Sequence, residues 1–89
     1  MRTVRQVGSF KRDLKKITKR SKDLNKIYGI VEKLAKGAKL ESRHRPHALV
    51  GNYVNKMECH IEPDWLLIYK LDGDVLILEH TGSHADLFE

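Results

Sequence analysis

Trp65-Leu66-Leu67-Ile68-Tyr69-Lys70-Leu71-Asp72-Gly73-Asp74-Val75-Leu76-Ile77-Leu78-Glu79-His80-Thr81 is the stretch that decides the fold. Residues 65–71 are apolar on both faces of an extended chain, Lys70 apart; that is the pattern of a central strand covered twice. Asp72-Gly73 supplies a tight hairpin turn, and residues 75–81 return beside the first strand before Gly82-Ser83. Upstream, residues 53–61 alternate. Asn55, Met57, Cys59 and Ile61 share one side, and Lys56, Glu58 and His60 share the other, as a period of two requires.

Further toward the N-terminus the period changes. Val4 and Val7 alternate loosely with arginines over residues 2–7, enough for a short first strand before Gly8. Ser9 is a candidate cap for a helix carrying Phe10, Leu14 and Ile17 at spacings of four and three, with lysines and arginines on its other faces. Asp23 is positioned to cap a second helix, whose apolar stripe of Leu24, Ile27, Tyr28, Val31, Leu34 and Ala35 ends at Gly37. So short a connection predicts an antiparallel hairpin of helices. The expected fold is α+β, a first strand and a two-helix hairpin packed on a mainly antiparallel four-stranded sheet.

The 89 residues suffice for one domain, 1–89, and not for two. A composition 40% hydrophobic and 33% charged, with two prolines and six glycines, is that of a folded chain and not of a disordered one. No secretory signal opens the sequence, no segment could span a bilayer, and the one cysteine, Cys59, cannot form an internal disulfide. A reducing cytoplasm is the expected location. Charge is unevenly divided. Residues 1–40 hold thirteen Lys or Arg against three acids, whereas residues 41–89 hold four against nine. The basic half can neutralise phosphates or bind an acidic protein; equally, it can be a solvated pair of helix faces.

All five histidines fall in the second half: His44, His47, His60, His80 and His84. Imidazole gives and takes protons near neutrality. Cleavage of RNA through its 2′-hydroxyl needs both services, together with a cation to offset charge on the phosphate. Each histidine also has an ordinary explanation. His44, between Arg43 and Arg45, reads as a solvated loop residue, His47 as a loop-to-strand anchor, and His60 as a polar-face residue of its strand. His80 and His84 are four apart, but Gly82 breaks the helix that would make them a metal pair. Asp64 is as well placed for a turn as for chemistry. Trp65 reads as core. Phe88, one residue from the end of the sequence, is better placed to stack on a base than to be buried.

The runs HALVG at 47–51, CHIEPDW at 59–65, LLIYK at 66–70 and TGSHADLF at 81–88 together resemble the YafQ toxins, a branch of the RelE-like toxins of bacterial type II toxin-antitoxin modules. The resemblance implies a RelE-like fold and a ribosome-dependent endoribonuclease, an mRNA interferase cutting messenger in the A site and inhibiting translation. It implies His47, His60, Asp64 and His84 as the catalytic set and Phe88 as the C-terminal aromatic. His84 is the expected acid to the leaving oxygen, Asp64 or His47 the base, and protonated His60 the support for the phosphate. Where the family commonly has arginine, this chain has His80, so Arg43, Arg45 or Lys56 are candidates to supply the missing permanent charge. No metal and no cofactor are expected. The expected partners are messenger RNA, the ribosome and a cognate antitoxin whose acidic segment covers the groove; operator DNA would be reached only through that antitoxin. The competing readings are a non-catalytic basic module that binds RNA or protein, and a metal-dependent hydrolase.

Overall fold

In the computed structural model of the chain, which describes residues 1–49 and 55–88, the doubly apolar run is β4 (Trp65–Asp72), the middle strand of a five-stranded sheet. The other strands are β1 (Thr3–Gln6), β2 (His47–Ala48), β3 (Met57–Glu62) and β5 (Val75–Gly82), and the spatial order is β1-β5-β4-β3-β2. Strands β2 to β5 pair antiparallel, whereas β1 runs parallel to β5. The four strands expected from the sequence are therefore five, in a mixed sheet. The addition is β2, two exposed residues long, and so short a pairing leaves no alternation to read. Of the strand expected over 53–61, the portion from Met57 is observed, continuing to Glu62. Asn55 turns the chain with φ 69°, and Tyr53, Val54, Val50 and Gly51 lie outside the described residues.

Two helices, α1 (Gly8–Lys19) and α2 (Leu24–Lys36), cover one face of the sheet. Phe10 and Ile17 of α1 and Ile27, Ile30, Leu34 and Ala35 of α2 meet Cys59, Ile61, Trp65, Leu67, Tyr69, Leu76 and Leu78 in one core. Burying each of the Leu, Ile and Phe side chains among them stabilises the fold by about 1.5–3 kcal/mol. Asp23 caps α2 as expected, accepting from the Asn25 amide at 3.0 Å, and Gly37 ends it at φ 72°. The stripe is rotated from the expected one: Ile30 is buried and Tyr28 stands 47% exposed.

Ser9 does not cap α1. The N-cap is Val7, with no side-chain bond, and the Ser9 hydroxyl instead donates to the Glu79 carbonyl at 2.8 Å. The reason lies in the sheet. Strand β1 covers the edge of β5 only at Val75–Leu78, so the backbone beyond needs other partners. Ser9 and Asp13 of α1 provide them, Asp13 accepting from the Thr81 amide at 3.2 Å.

Two bulges aim the side chains that matter. Tyr69 pairs with Leu78 and Ile68 with His80, which makes Glu79 an extra residue in β5. That insertion reverses the alternation. His80 is turned to the sheet face away from the helices, and Thr81 is turned into the core at 2% exposure. A second shift in β3, between His60 and Glu62, falls beside the turn that carries Asp64.

Candidate active site

Cross-strand partners share a sheet face, so the pairings place His47, Glu58, Ile68 and His80 in one row, from β2 to β5, on the face opposite the two long helices. The next row is His60, Leu66 and Gly82. At its far end α3 (His84–Phe88) begins, and the β3–β4 turn brings Asp64 to meet it. Four imidazole or aromatic rings follow one another along this end of the sheet. His47 and His60 have centroids 6.5 Å apart, His60 and His84 5.8 Å, and His84 and Phe88 6.5 Å.

The hydrogen bonds fix which nitrogens face outward. Asp64 Oδ1 accepts from both the backbone N–H of His84, at 2.9 Å, and its Nδ1, at 2.7 Å. Those two bonds, the backbone one first, hold the Asp64 carboxyl below the usual aspartate range. They also leave Nε2 of His84 as the nitrogen available to a substrate. His47 Nδ1 lies 2.8 Å from the Arg45 carbonyl. A carbonyl only accepts, so Nδ1 carries a proton and Nε2 points at Glu58 Oε1, 3.3 Å away. The same carboxylate oxygen is 3.6 Å from His60 Nε2.

Glu58 is thus shared by two imidazoles, and its side chain is 8% exposed. In the sequence Glu58 is one polar-face residue among three. Its signal was present, because residues two apart on a strand share a face. His44 is a correction. It ends the 3-10 turn Ser42–His44, is buried, and places Nδ1 2.6 Å from the His60 carbonyl. Strand β2 stops at His47, opposite Glu58, so nothing in it reaches the His60 carbonyl two residues on. The His44 ring occupies that edge position in place of a strand amide. Nothing in the local sequence distinguishes such a ring from a solvated one.

The structure brings together His47, His60, Asp64, His84 and Phe88; the Phe88 side of the cluster is open, that residue being 42% exposed. His80 stands apart. It is two strands from Glu58 in the same row, roughly 10 Å, and its Nδ1 is 3.0 Å from Asp13. Arg43 and Arg45 lie on the opposite flank, where with Lys26 and His60 they line a cavity of about 470 Å³. Arg45 is held at φ 43°, a conformation that costs a non-glycine residue about 1 kcal/mol or more. Lys56 Nζ is 3.3 Å from Glu79 Oε2. Among the described residues no three ligand-type side chains are disposed to hold a metal ion.

A small α+β domain with acid and base groups gathered at one end of its sheet, and basic helices behind it, has the architecture expected of a toxin from a type II toxin-antitoxin module. Comparison with known proteins gives the family. The profile described as "Bacterial toxin of type II toxin-antitoxin system, YafQ" matches residues 2–89, and the chain belongs to that family. It is 38% identical over 88 residues to the mRNA interferase toxin YafQ of Escherichia coli K12, covering 98% of this chain and 96% of that one. The YafQ chain in a crystal structure of the E. coli DinJ-YafQ complex superimposes with a TM-score of 0.92 at 37% identity, over the full length of both chains. A copper-bound mutant toxin from Helicobacter pylori does so with a TM-score of 0.94 at 34% identity, over 99% of this chain and 100% of that one.

Proposed function

We propose that this chain is the toxin of a type II module and an endoribonuclease that cuts messenger RNA on the ribosome, halting translation in the cytoplasm. The observation that carries this reading is the pairing of His84 with Asp64 opposite the Glu58-bridged pair of His47 and His60. Two hydrogen bonds of about 3 Å each bracket the 5.8 Å between the His60 and His84 rings, so one phosphodiester can reach both.

In this mechanism the 2′-oxygen attacks phosphorus and its proton passes to the set formed by Glu58, His47 and His60. The bond from phosphorus to the 5′-oxygen breaks, and His84 gives its Nε2 proton to that oxygen. The products are a 2′,3′-cyclic phosphate, open to hydrolysis to a 3′-phosphate, and a 5′-hydroxyl. Asp64, considered from the sequence as a base, serves better as the group that orients His84, since both of its close contacts are to that residue. Protonated His60, with Arg45 beside it, offsets charge on the phosphate, and Phe88 stacks on a neighbouring base. No step calls on a metal ion bound to this chain, so a chelator selective for transition metals, which leaves ribosomal magnesium in place, should leave the rate unchanged.

Basic side chains of α1 and α2 suit contacts with ribosomal RNA. An acidic antitoxin segment that orders on binding suits the groove beside Arg43 and Arg45, and operator DNA is then reached through the antitoxin. Among the described residues no helix is long and apolar enough to cross a membrane.

The test is to map cleavage ends on translated messenger. Wild-type protein should give discrete cuts with 5′-hydroxyl ends, and His84→Ala should lose at least about a hundredfold in rate while keeping its fold. Full cleavage by a folded His84→Ala protein would leave the non-catalytic binding module as the better reading.

A further inference from the structure

Helix α3 carries both His84 and Phe88, yet it has only five residues and none of them is buried. A helix that short does not hold itself together, because nucleation costs more than one turn returns. Its position must come from elsewhere, and polar contacts supply it. The Ser83 amide donates to Asp86 Oδ2 at 2.9 Å, and the Asp86 amide donates to Ser83 Oγ at 3.1 Å. This is the reciprocal arrangement of a capping box, with aspartate in the place of glutamate.

The same Asp86 carboxylate is gripped by Arg20, 66 residues away, through both terminal nitrogens of its guanidinium: Nη1 to Oδ2, and Nη2 to Oδ1 at 3.1 Å. Two parallel bonds of this kind fix direction as well as distance. Arg20 is the C-cap of α1, three residues beyond buried Ile17, and so it is mounted on a rigid element. Gly82 completes the joint: a Cβ there would lie 2.9 Å from Asp86 Oδ2 and 3.0 Å from Asp86 Cβ, so the carboxylate can lie across the end of β5 only because glycine leaves the space.

We infer that Arg20 and Asp86 are positioning residues of the cleavage reaction: their ion pair ties α3 to the long basic helix and presents His84 and Phe88 to the substrate. Asp64 holds the first residue of α3, and Arg20 sets the orientation of the remainder. The inference rests on the catalytic role given above to His84.

The experiment uses the full chain on programmed ribosomes and measures kcat and KM for wild type, Arg20→Gln, Asp86→Asn, the double variant and His84→Ala. Asp86→Asn is isosteric and keeps an acceptor for the Ser83 amide, and Arg20 is half-exposed, so the fold should survive; the Trp65 indole N–H resonance checks that it does. Each single variant should lose about tenfold to a hundredfold in kcat with KM unchanged, and the double should lose no more than the worse single. Hydrogen exchange of the Leu87 amide, which donates to the Ser83 carbonyl, should rise in all three. Arg20→Lys, which keeps the charge without the fork, should fall between. Unchanged kcat in Asp86→Asn, additive losses, or an Arg20 effect confined to KM would overturn the inference. If His84→Ala itself cleaves normally, it is the catalytic reading that fails.

Discussion

Replacing Thr81 by valine removes one hydroxyl from the interior and opens no cavity, because the two side chains have the same shape. In the native protein that hydroxyl accepts from Trp65 Nε1 at 2.9 Å and donates to the Leu66 carbonyl at 2.7 Å, with Thr81 2% and Trp65 1% exposed. Valine strands the indole N–H without an acceptor, which costs about 1–3 kcal/mol, and deletes a bond worth about 1 kcal/mol more. The added buried methyl returns about 0.8 kcal/mol. The net loss is about 1–3 kcal/mol, or roughly 5–20 °C in Tm for a domain of this size. Thermal melts followed by circular dichroism and by Trp65 fluorescence would measure it. Trp65→Phe should cost about 1–2 kcal/mol less in the Thr81→Val background than in the wild type, since the stranded donor goes with it. Activity should fall as well: Trp65 follows Asp64, and Thr81 precedes the Gly82-Ser83 link to His84, so this bond joins the backbones that carry that pair. A Thr81→Val protein within 0.5 kcal/mol of wild type, on the order of ordinary surface substitutions, would refute the reasoning.

Glu58→Gln should lower kcat about tenfold to a hundredfold with KM little changed, read from single-turnover cleavage on programmed ribosomes; an unaffected rate would remove Glu58 from the mechanism. His44→Ala should destabilise by about 2–3 kcal/mol, through lost packing and the unpaired His60 carbonyl, as urea melts would show. Asp64 and Asp86 both have carboxyls held below the ordinary range, by bonds from His84 in the first case and from Arg20 and Ser83 in the second. The sign follows: α3 docking is fully present above about pH 4, the ordinary aspartate value, and is lost as pH falls through the depressed values. Leu87 amide protection should therefore be flat from pH 8 to 5 and decline only in stronger acid. Burial, with the Glu58 charge second, pushes the Cys59 thiol up to about 12, so stability contributed by this group declines as pH rises above about 8.5. Iodoacetamide at pH 8.5 should label the native protein far more slowly than the urea-unfolded one; equal rates would contradict the burial.

Periodicity carried most of the architecture. The doubly apolar run at residues 65–71 and the caps at Asp23 and Gly37 are local rules, each complete within a few neighbours, and each became the element it implied; the hairpin turn expected at Asp72-Gly73 falls one residue later, at Gly73-Asp74, because Asp72 still pairs with Val75 at the end of β4. The misses share a cause. Ser9 turned from its own helix to the Glu79 carbonyl because β1 ends early, and Tyr28 gave way to Ile30 because the stripe that is buried depends on the surface beneath it. Strand β2 exists only as the partner of Glu58 and Met57.

For the candidate site, the residue types were legible in the chain, because imidazoles and a carboxylate are the groups that acid and base chemistry requires, and the resemblance to the YafQ toxins singled out His47, His60, Asp64, His84 and Phe88. Their convergence was not, since it depends on cross-strand register and on a bulge at Glu79 that no local pattern announces. Register also moved His44 from the solvent to the back of His60, made Glu58 the carboxylate between two rings, and set His80 against Asp13. Sequence determines which side chains are available and which element each rides on; which nitrogen of His84 faces outward is decided by Asp64, 20 residues distant, and only the folded chain brings the two into hydrogen-bond range.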